Sequence, residues 1–520
     1  MSDDLKPEER PDFKNAAYNQ MSFGWTLMAD VIAGTERLRG AGKSYLPQEP
    51  AEQADAYQRR LSRSVFFNAT RKTVDALVGM VFRKNPELSD DIPAKIKADL
   101  ENIDRAGTHI DVFAKELFRD AVADGHAFIL VDMPRKLTTS TTSASSIPTV
   151  ADEIAAGHRP YWQRYKAHQA LNWRTARVGG EVEIVQITFE EKTYEVMGSY
   201  GETEVTRYRV FTKPLIDSGL DGKGVSVRPA VYGLVSWALF KKTVDPVTKK
   251  EVFVIEQFGK SSLNDIPVAV VYGRKLGCCV SEPPLRDLAY LNVAHWQQYS
   301  DLRNIIHVTE VPILVRKGAT QEQIAIEIGA NSAVDVPTEG DLKWLEVSEH
   351  GASAVGRQLL MDDEQRMSSL GLSVLSEKDV GVTATEKRMD QDERTSELST
   401  MARSEQDAIE EALGFHAEYM GLGDDKGGSI KIGVADDLIL DAQTIAQLSA
   451  MVSAQQLSLE TFWDMMQQGF PSVDFSDEAA KVHILGGVDT VRNAVKKAPP
   501  GIQGLYQQKK VPMNGAKANA

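Results

Sequence analysis

The sequence predicts an α+β fold in which helical and strand-forming stretches occupy separate parts of the chain. Three observations carry this. Apolar residues recur at three- and four-residue steps from Leu285 to Ile306. A long polar helical pattern runs from residue 386 to about 420. Between 160 and 275, apolar residues instead alternate with period two.

Residues 1–14 are charged and proline-bearing, which predicts a flexible arm. Residues 15–159 read as mainly helical. The stretch 65–82 is amphipathic through Val65, Thr73, Leu77, Met80 and Val81. Residues 112–123 give another helix, and Phe128-Ile129-Leu130-Val131-Asp132 a buried strand. The Ser/Thr run at 137–148 reads as a loop. Residues 160–282 form a β-rich region. Val182, Ile184, Gln186 and Thr188 alternate there, as do Tyr208 and Val210, then Val252, Val254 and Glu256. Gly179-Gly180, Asp221-Gly222 and Asp245-Pro246 supply turns.

From Ser281 the pattern becomes helix, insert, helix. Ser281 is a candidate cap, and Pro283 and Pro284 suit a first turn, where backbone N–H groups have no intrahelical acceptor. Leu285, Leu288, Leu291, His295, Trp296, Tyr299, Leu302 and Ile306 then form one stripe, while Asp287, Asn292, Gln297, Asp301 and Arg303 occupy other faces. This assigns a first helix to 283–308. The insert at 309–349 reads as a strand at 311–315, a short helix at 321–328, and strands at 332–336 and 342–347. A second helix fills 350–371. A weakly patterned Gly/Val/Thr segment follows at 372–385. The long helix from 386 is acidic, and its apolar positions are sparse: Met389, Leu398, Met401, Ile409, Leu413 and Tyr419. So thin a face predicts subunit contact or a solvated spacer rather than burial in one core. A return strand completes 386–440. Ile445, Leu448, Met451, Val452, Phe462, Trp463 and Met466 mark helices in 441–495, and 496–520 reads as a flexible tail.

Four segments carry a family likeness. The first holds Tyr45-Leu46-Pro47, Tyr57, Arg60-Leu61 and Phe66-Phe67-Asn68-Ala69-Thr70. The second holds Val81-Phe82-Arg83-Lys84-Asn85-Pro86 and Asn102-Ile103-Asp104. The third runs Pro284-Leu285-Arg286-Asp287-Leu288-Ala289-Tyr290-Leu291-Asn292, with Ser300-Asp301 and Val311-Pro312-Ile313-Leu314. The fourth is Thr383-Ala384-Thr385-Glu386, leading to Ser396-Glu397-Leu398 and Glu410-Glu411-Ala412-Leu413. In order and spacing, over about residues 15–470, they resemble the portal (head-to-tail connector) proteins of tailed bacteriophages.

The resemblance implies a subunit of a ring, typically dodecameric, at one capsid vertex, through which double-stranded DNA is packaged and ejected. It makes 15–159 a helical wing region and 160–282 a β-rich one. The helices at 283–308 and 350–371 become a stem, 309–349 a clip, 372–385 a tunnel loop, 386–421 a long wing helix and 441–495 a crown. It implies docking to the terminase large subunit, a head-completion or tail adaptor protein, and the major capsid and scaffolding proteins. The protein is then made in the host cytoplasm and resides in the virion. Ser373, Glu377, Lys378, Asp379 and Thr383 would line the tunnel. The 285–306 stripe is expected to face the second stem helix and a neighbouring subunit, with Leu288, Trp296 and Leu302 at the subunit interface, and Ile326 and Trp344 are expected at buried contacts of the clip.

Composition agrees. At 520 residues and 42% hydrophobic content the chain can bury a large core. A net charge of −15 argues against an autonomous DNA binder, which needs basic surface for phosphates. It suits a conduit that must let DNA slide. No stretch reaches the ~20 apolar residues of a membrane span, and the acidic first residues lack a signal-peptide core. The adjacent Cys278 and Cys279 match no metal pattern and read as structural thiols in a reducing compartment.

Candidate chemistry is thin. Gly40-Ala41-Gly42-Lys43-Ser44 imitates a phosphate loop, but Arg37 stands where that loop needs its first glycine. A glycine-rich turn leaving a helix is the reading preferred. His295 and His307 are too far apart to share a metal on one helix face. Glu410-Glu411 with His416 lacks a matching Glu-x-x-His element, and no Gly-x-Ser-x-Gly elbow occurs. Lys496-Lys497 and Lys509-Lys510 read as solvated tail, or as weak contacts to packaged DNA. The expectation is a structural protein with no enzymatic activity, no cofactor and no metal. Another ring-forming phage head protein, an adaptor or capsid subunit, is the alternative. A nucleotide-binding enzyme using Lys43 ranks below it.

Overall fold

The structure is α+β, with helices and antiparallel strands grouped as the sequence predicts. In this computed structural model the described residues are 6–134, 159–178, 180–217, 230–245, 249–309, 313–317, 341–345, 352–372, 384–422, 427–433 and short pieces of 448–466. The chain divides into two units, Met1–Val434 and Ala435–Ala520.

The first unit opens with helices. Asn15 caps α1 (Ala16–Ala33) by accepting from the Tyr18 N–H at 2.7 Å, and Gly34, at φ 90°, ends it. Then come α2 (Thr35–Ala41), α3 (Ala54–Arg63), α4 (Ala69–Val81), α5 (Ala94–Leu100) and α6 (Ile110–Asp124). The helix expected over 65–82 starts only at Ala69. Asn68 caps it, accepting from the Arg71 N–H, and Val65 lies exposed in the extended segment ahead of it.

Strand β2 (His126–Asp132) divides the core. It pairs with β11 (Val268–Tyr272) on one side and β3 (Tyr161–Lys166) on the other. Successive strand side chains point to opposite faces. Ala127, Ile129 and Val131 therefore join α4, α6 and the later helices in one cluster. Phe128 and Leu130 join a second cluster with Tyr165, Phe189 and Phe211. Helix α1 serves both: Tyr18, Met21 and Trp25 face the second cluster, Leu27, Met28 and Val31 the first.

The second cluster lies under a five-stranded antiparallel sheet. Its order is β10 (Glu251–Lys260), β9 (Ser236–Val244), β6 (Gly201–Thr212), β5 (Glu181–Met197) and β4 (Ala170–Val178). Small pairs complete the β structure: β1 (Glu87–Leu88) with β16 (Ile430–Lys431), β7 (Leu215–Asp217) with β8 (Val231–Tyr232), and β12 (Lys275–Gly277) with β13 (Val280–Ser281). The N-terminal arm departs from expectation over its described part. Arg10 bridges Asp12 at 2.7 Å and Glu251 at 3.2 Å, and its guanidinium lies over the Phe253 ring. Charge pairing and ring contact thus tie residues near 10 to β10.

Helix α7 (Arg286–Thr309) follows, within three residues of its predicted bounds. The insert shows β14 (Ile313–Lys317) paired antiparallel with β15 (Asp341–Leu345), Leu314 opposite Trp344. The helix and strand expected at 321–336, and Ile326, lie outside the described residues. Helix α8 (Ala352–Met367) ends in a wider π turn, Ser368–Leu372. The tunnel-loop candidates Ser373, Glu377, Lys378, Asp379 and Thr383 also lie outside the described residues. The long helix α9 (Ala384–Tyr419) then crosses the first cluster, packing on β11, β2, α4 and α6. In the second unit, Phe462 and Met466 are buried and Met451 is exposed.

Candidate functional site

The first and third resemblance segments meet along α7. Helices α7 and α8 run antiparallel, because contacts pair rising numbers on one with falling numbers on the other. His295 Nε2 lies 3.5 Å from Glu364 Oε1. A Cβ added at Gly356 would stand 3.0 Å from Leu302 Cδ1. One added at Gly371 would collide with Leu288 and Thr73 at 2.6 and 2.9 Å, so glycine there lets the π turn close onto α7 and α4 together.

A buried polar clamp fixes this root. Arg60, on α3, has a side chain only 4% exposed. Its guanidinium donates to both Glu52 oxygens at 2.8 Å, to the Pro47 carbonyl at 2.7 Å, and to Ser300 Oγ and Asp301 Oδ1 at 3.3 Å on α7. A planar fork with five donors suits such a site, where lysine's point charge would leave acceptors unmet. Arg60 in turn holds the Glu52 carboxyl below the usual carboxylate range. Ser64 donates to or accepts from Ser300 at 2.8 Å, and the Tyr57 hydroxyl reaches the Leu46 carbonyl.

About two turns closer to the start of α7, Asn292 is fully buried. Its Oδ1 accepts from the Thr70 N–H and hydroxyl at 3.1 Å, and its Nδ2 donates to the Phe67 carbonyl at 2.7 Å. Asn292 thus replaces the backbone partners that the first turn of α4 lacks. Phe66 meets the Trp296 ring edge-on at 6.2 Å. All these groups are engaged with one another, so the junction holds α7 at a fixed angle to α3 and α4.

The interface candidates sit differently from expectation. Leu288, Trp296 and Leu302 are buried within their own chain, Trp296 completely. A neighbour has little left to cover there. Apolar residues that remain uncovered are Tyr290 and Ile305 on α7, Val355, Leu359 and Met361 on α8, and Leu370 in the π turn. Val355 and Leu359, four residues apart, share one face of α8.

Gly42-Lys43-Ser44 forms a single 3-10 turn after helix α2. A phosphate loop needs a strand before it and a helix after it, and neither flanks this turn. Lys43 instead lies over the Tyr57 ring. His416 is buried, accepting from the Trp162 indole N–H at Nδ1 and meeting Asp99 Oδ2 at 3.2 Å through Nε2. Among the described residues no group of three His, Cys, Asp or Glu side chains is arranged to hold a metal ion. Nor, among them, is any helix long and apolar enough to cross a membrane.

Two buried ionisable groups were not singled out from the sequence. Glu405 on α9 is wholly buried with neither carboxylate oxygen hydrogen-bonded, and burial pushes its carboxyl well above the usual range. His126, boxed by Trp25, Phe128 and Tyr272, meets Ser281 Oγ at 2.6 Å, and burial lowers it to about 3. Neither type of burial leaves a mark in local periodicity.

Compared with known proteins, the chain matches a family described as Domain of unknown function (DUF4055) over residues 284–420. That is about a quarter of its length, and it spans α7, the insert, α8 and α9. No curated protein matches the chain.

Proposed function

We propose that this chain is a portal-type subunit: one of a ring, typically twelve, that forms the DNA channel at a capsid vertex. One observation carries the reading. An antiparallel helix pair, interrupted by a small paired-strand insert and clamped at its root, leaves apolar residues on α8 uncovered by its own chain. A second subunit supplies the missing cover, and repetition of one such contact closes a ring. The long helix α9 supports the same reading, since it follows the helix pair in the chain and packs on β11 and β2.

In this reading α7 and α8 are the stem and the insert is the clip, which docks the terminase large subunit and later the tail adaptor. The segment 372–385 faces DNA, with Glu377 and Asp379 outweighing Lys378 so that phosphates slide rather than stick. Capsid and scaffolding proteins meet the outer, sheet-bearing part. The chain has no catalytic role in this assignment.

Sedimentation velocity with negative-stain imaging tests it. Hollow rings that dissociate in a Val355→Asp/Leu359→Asp variant are expected. A chain that stays monomeric at high micromolar concentration, in low and high salt, overturns the assignment.

A further inference from the structure

The chain holds two cysteines, and they are adjacent. They form the two-residue turn between β12 and β13, where Gly277 pairs with Val280. Their sulfurs are 4.0 Å apart. Cys278 is partly exposed, whereas Cys279 is buried in the second cluster. Cys279 sits at φ 55°, a left-handed conformation rare for a residue with a Cβ. The Cys279 N–H donates to the Tyr272 hydroxyl at 2.9 Å, which fixes the turn. Nothing in the helix-pair junction uses these thiols.

We propose that the Cys278-Cys279 turn is a site of reversible thiol oxidation, in which a peroxide oxidises Cys278 and Cys279 then closes a bond between the adjacent sulfurs. The Cys278 thiolate attacks one peroxide oxygen. An S–O bond forms, the O–O bond breaks, and hydroxide leaves to become water. The Cys279 sulfur then attacks the sulfenic sulfur of Cys278. An S–S bond forms, the S–O bond breaks, and a second water leaves with the Cys279 proton. The two thiols lose two electrons and two protons, and the peroxide takes up both.

The division of labour follows from exposure: an accessible thiol meets the oxidant, and a buried neighbour resolves it. Adjacent Cα atoms stand about 3.8 Å apart, closer than the ~4.4–6.8 Å of ordinary disulfides. The closed ring is therefore strained and easily reduced, as suits a reversible mark rather than a structural bridge. The groups facing Cys278 are the Cys279 thiol and Lys275 on its own hairpin, Tyr272 on β11 and Glu411 on α9. The Cys279 hydrogen bond and then the Lys275 charge lower the Cys278 thiol to about 7, against burial and Glu411. Its reaction rate therefore rises as pH passes through about 7.

The test exposes the full chain to hydrogen peroxide, then denatures and alkylates it. Expected are joint loss of both thiols, a peptide over 278–279 lighter by two hydrogens, no linked dimer on a non-reducing gel, and full recovery with dithiothreitol. In Cys279→Ser, dimedone should trap a sulfenic acid at Cys278. The proposal is overturned if Cys278 proceeds to sulfinic acid while Cys279 stays alkylatable. Chain-to-chain disulfides, or Cys278→Ser oxidising Cys279 as fast as wild type loses its thiols, overturn it equally.

Discussion

The two ends of α7 are built on different terms. From 285 to 296 the helix buries Leu285, Leu288, Ala289, Asn292, Val293, His295 and Trp296. From 302 to 307, past the Ser300 and Asp301 contacts of Arg60, it buries only Leu302, and Ile305 is exposed. The facing helix repeats the contrast, with Met367 buried near the root and Val355 and Leu359 exposed toward the insert. Near the root the chain supplies its own packing and its own polar partners. Farther out Val355 and Leu359 stay exposed among the described residues, as Tyr290 and Leu370 do near the root. Buried packing is thus concentrated in the first half of α7.

Substitutions at the root should destabilise the monomer, and those farther out should disturb only the proposed ring. Trp296→Ala removes the largest buried side chain of α7 and should cost about 3–5 kcal/mol in urea unfolding. A loss below about 1 kcal/mol would mean that the root is looser than drawn. Arg60→Ala strands Glu52 and should cost roughly 3 kcal/mol. It should also alter the acid limb. The Glu52 carboxyl lies below its ordinary range in the folded chain, so its contribution is complete above that range and fades as pH falls through the lowered value. Unfolding midpoints measured from pH 7 to pH 3 should fall less steeply in Arg60→Ala than in wild type. Parallel curves would show that Glu52 draws nothing from Arg60.

Asn292→Ala leaves the buried Thr70 N–H without its acceptor and takes one of two donors from the Phe67 carbonyl, which keeps the Ala69 N–H, for a cost of about 1–3 kcal/mol. Asn292→Asp keeps the acceptor but loses the donor, and thermal melts should rank it below wild type. The smallest effect on the monomer belongs to Val355→Asp/Leu359→Asp, within about 0.5 kcal/mol by the same urea titration. Destabilisation approaching that of Trp296→Ala would place these residues inside the subunit and erase the contrast between root and far end.

Much of this was legible before the structure. Helix α7 follows from its stripe and its prolines, and α9 from sustained helical composition; both match within a few residues. Strand β2 was legible as an apolar run because it is buried on both faces. The start of α4 was missed because Val65 continues the apolar pattern, whereas the cap at Asn68 sets the boundary. The order of the five-stranded sheet is a matter of long-range pairing, which local alternation does not encode. Arg60 could be quoted as part of a motif, yet its burial depends on Ser300 and Asp301 far along the chain. For Leu288, Trp296 and Leu302 the expected cover by the second helix holds at Leu302, whereas the cover from α4 and the segment before it comes from far along the chain. A periodic face says that something covers it, and α4, α8 and the segment before α4 are that cover.

The clamp also sets a timetable. Arg60 and Asp301 are 241 residues apart, and Thr70 and Asn292 are 222 apart. At about 5–20 residues per second, a ribosome needs roughly 10–50 s to deliver the second half of each pair. Glu52 and the Pro47 carbonyl lie within 13 residues of Arg60 and emerge almost with it. The clamp can therefore be completed only after α7 has been made, so the whole of residues 70–285 is synthesised while Arg60 lacks its Ser300 and Asp301 partners.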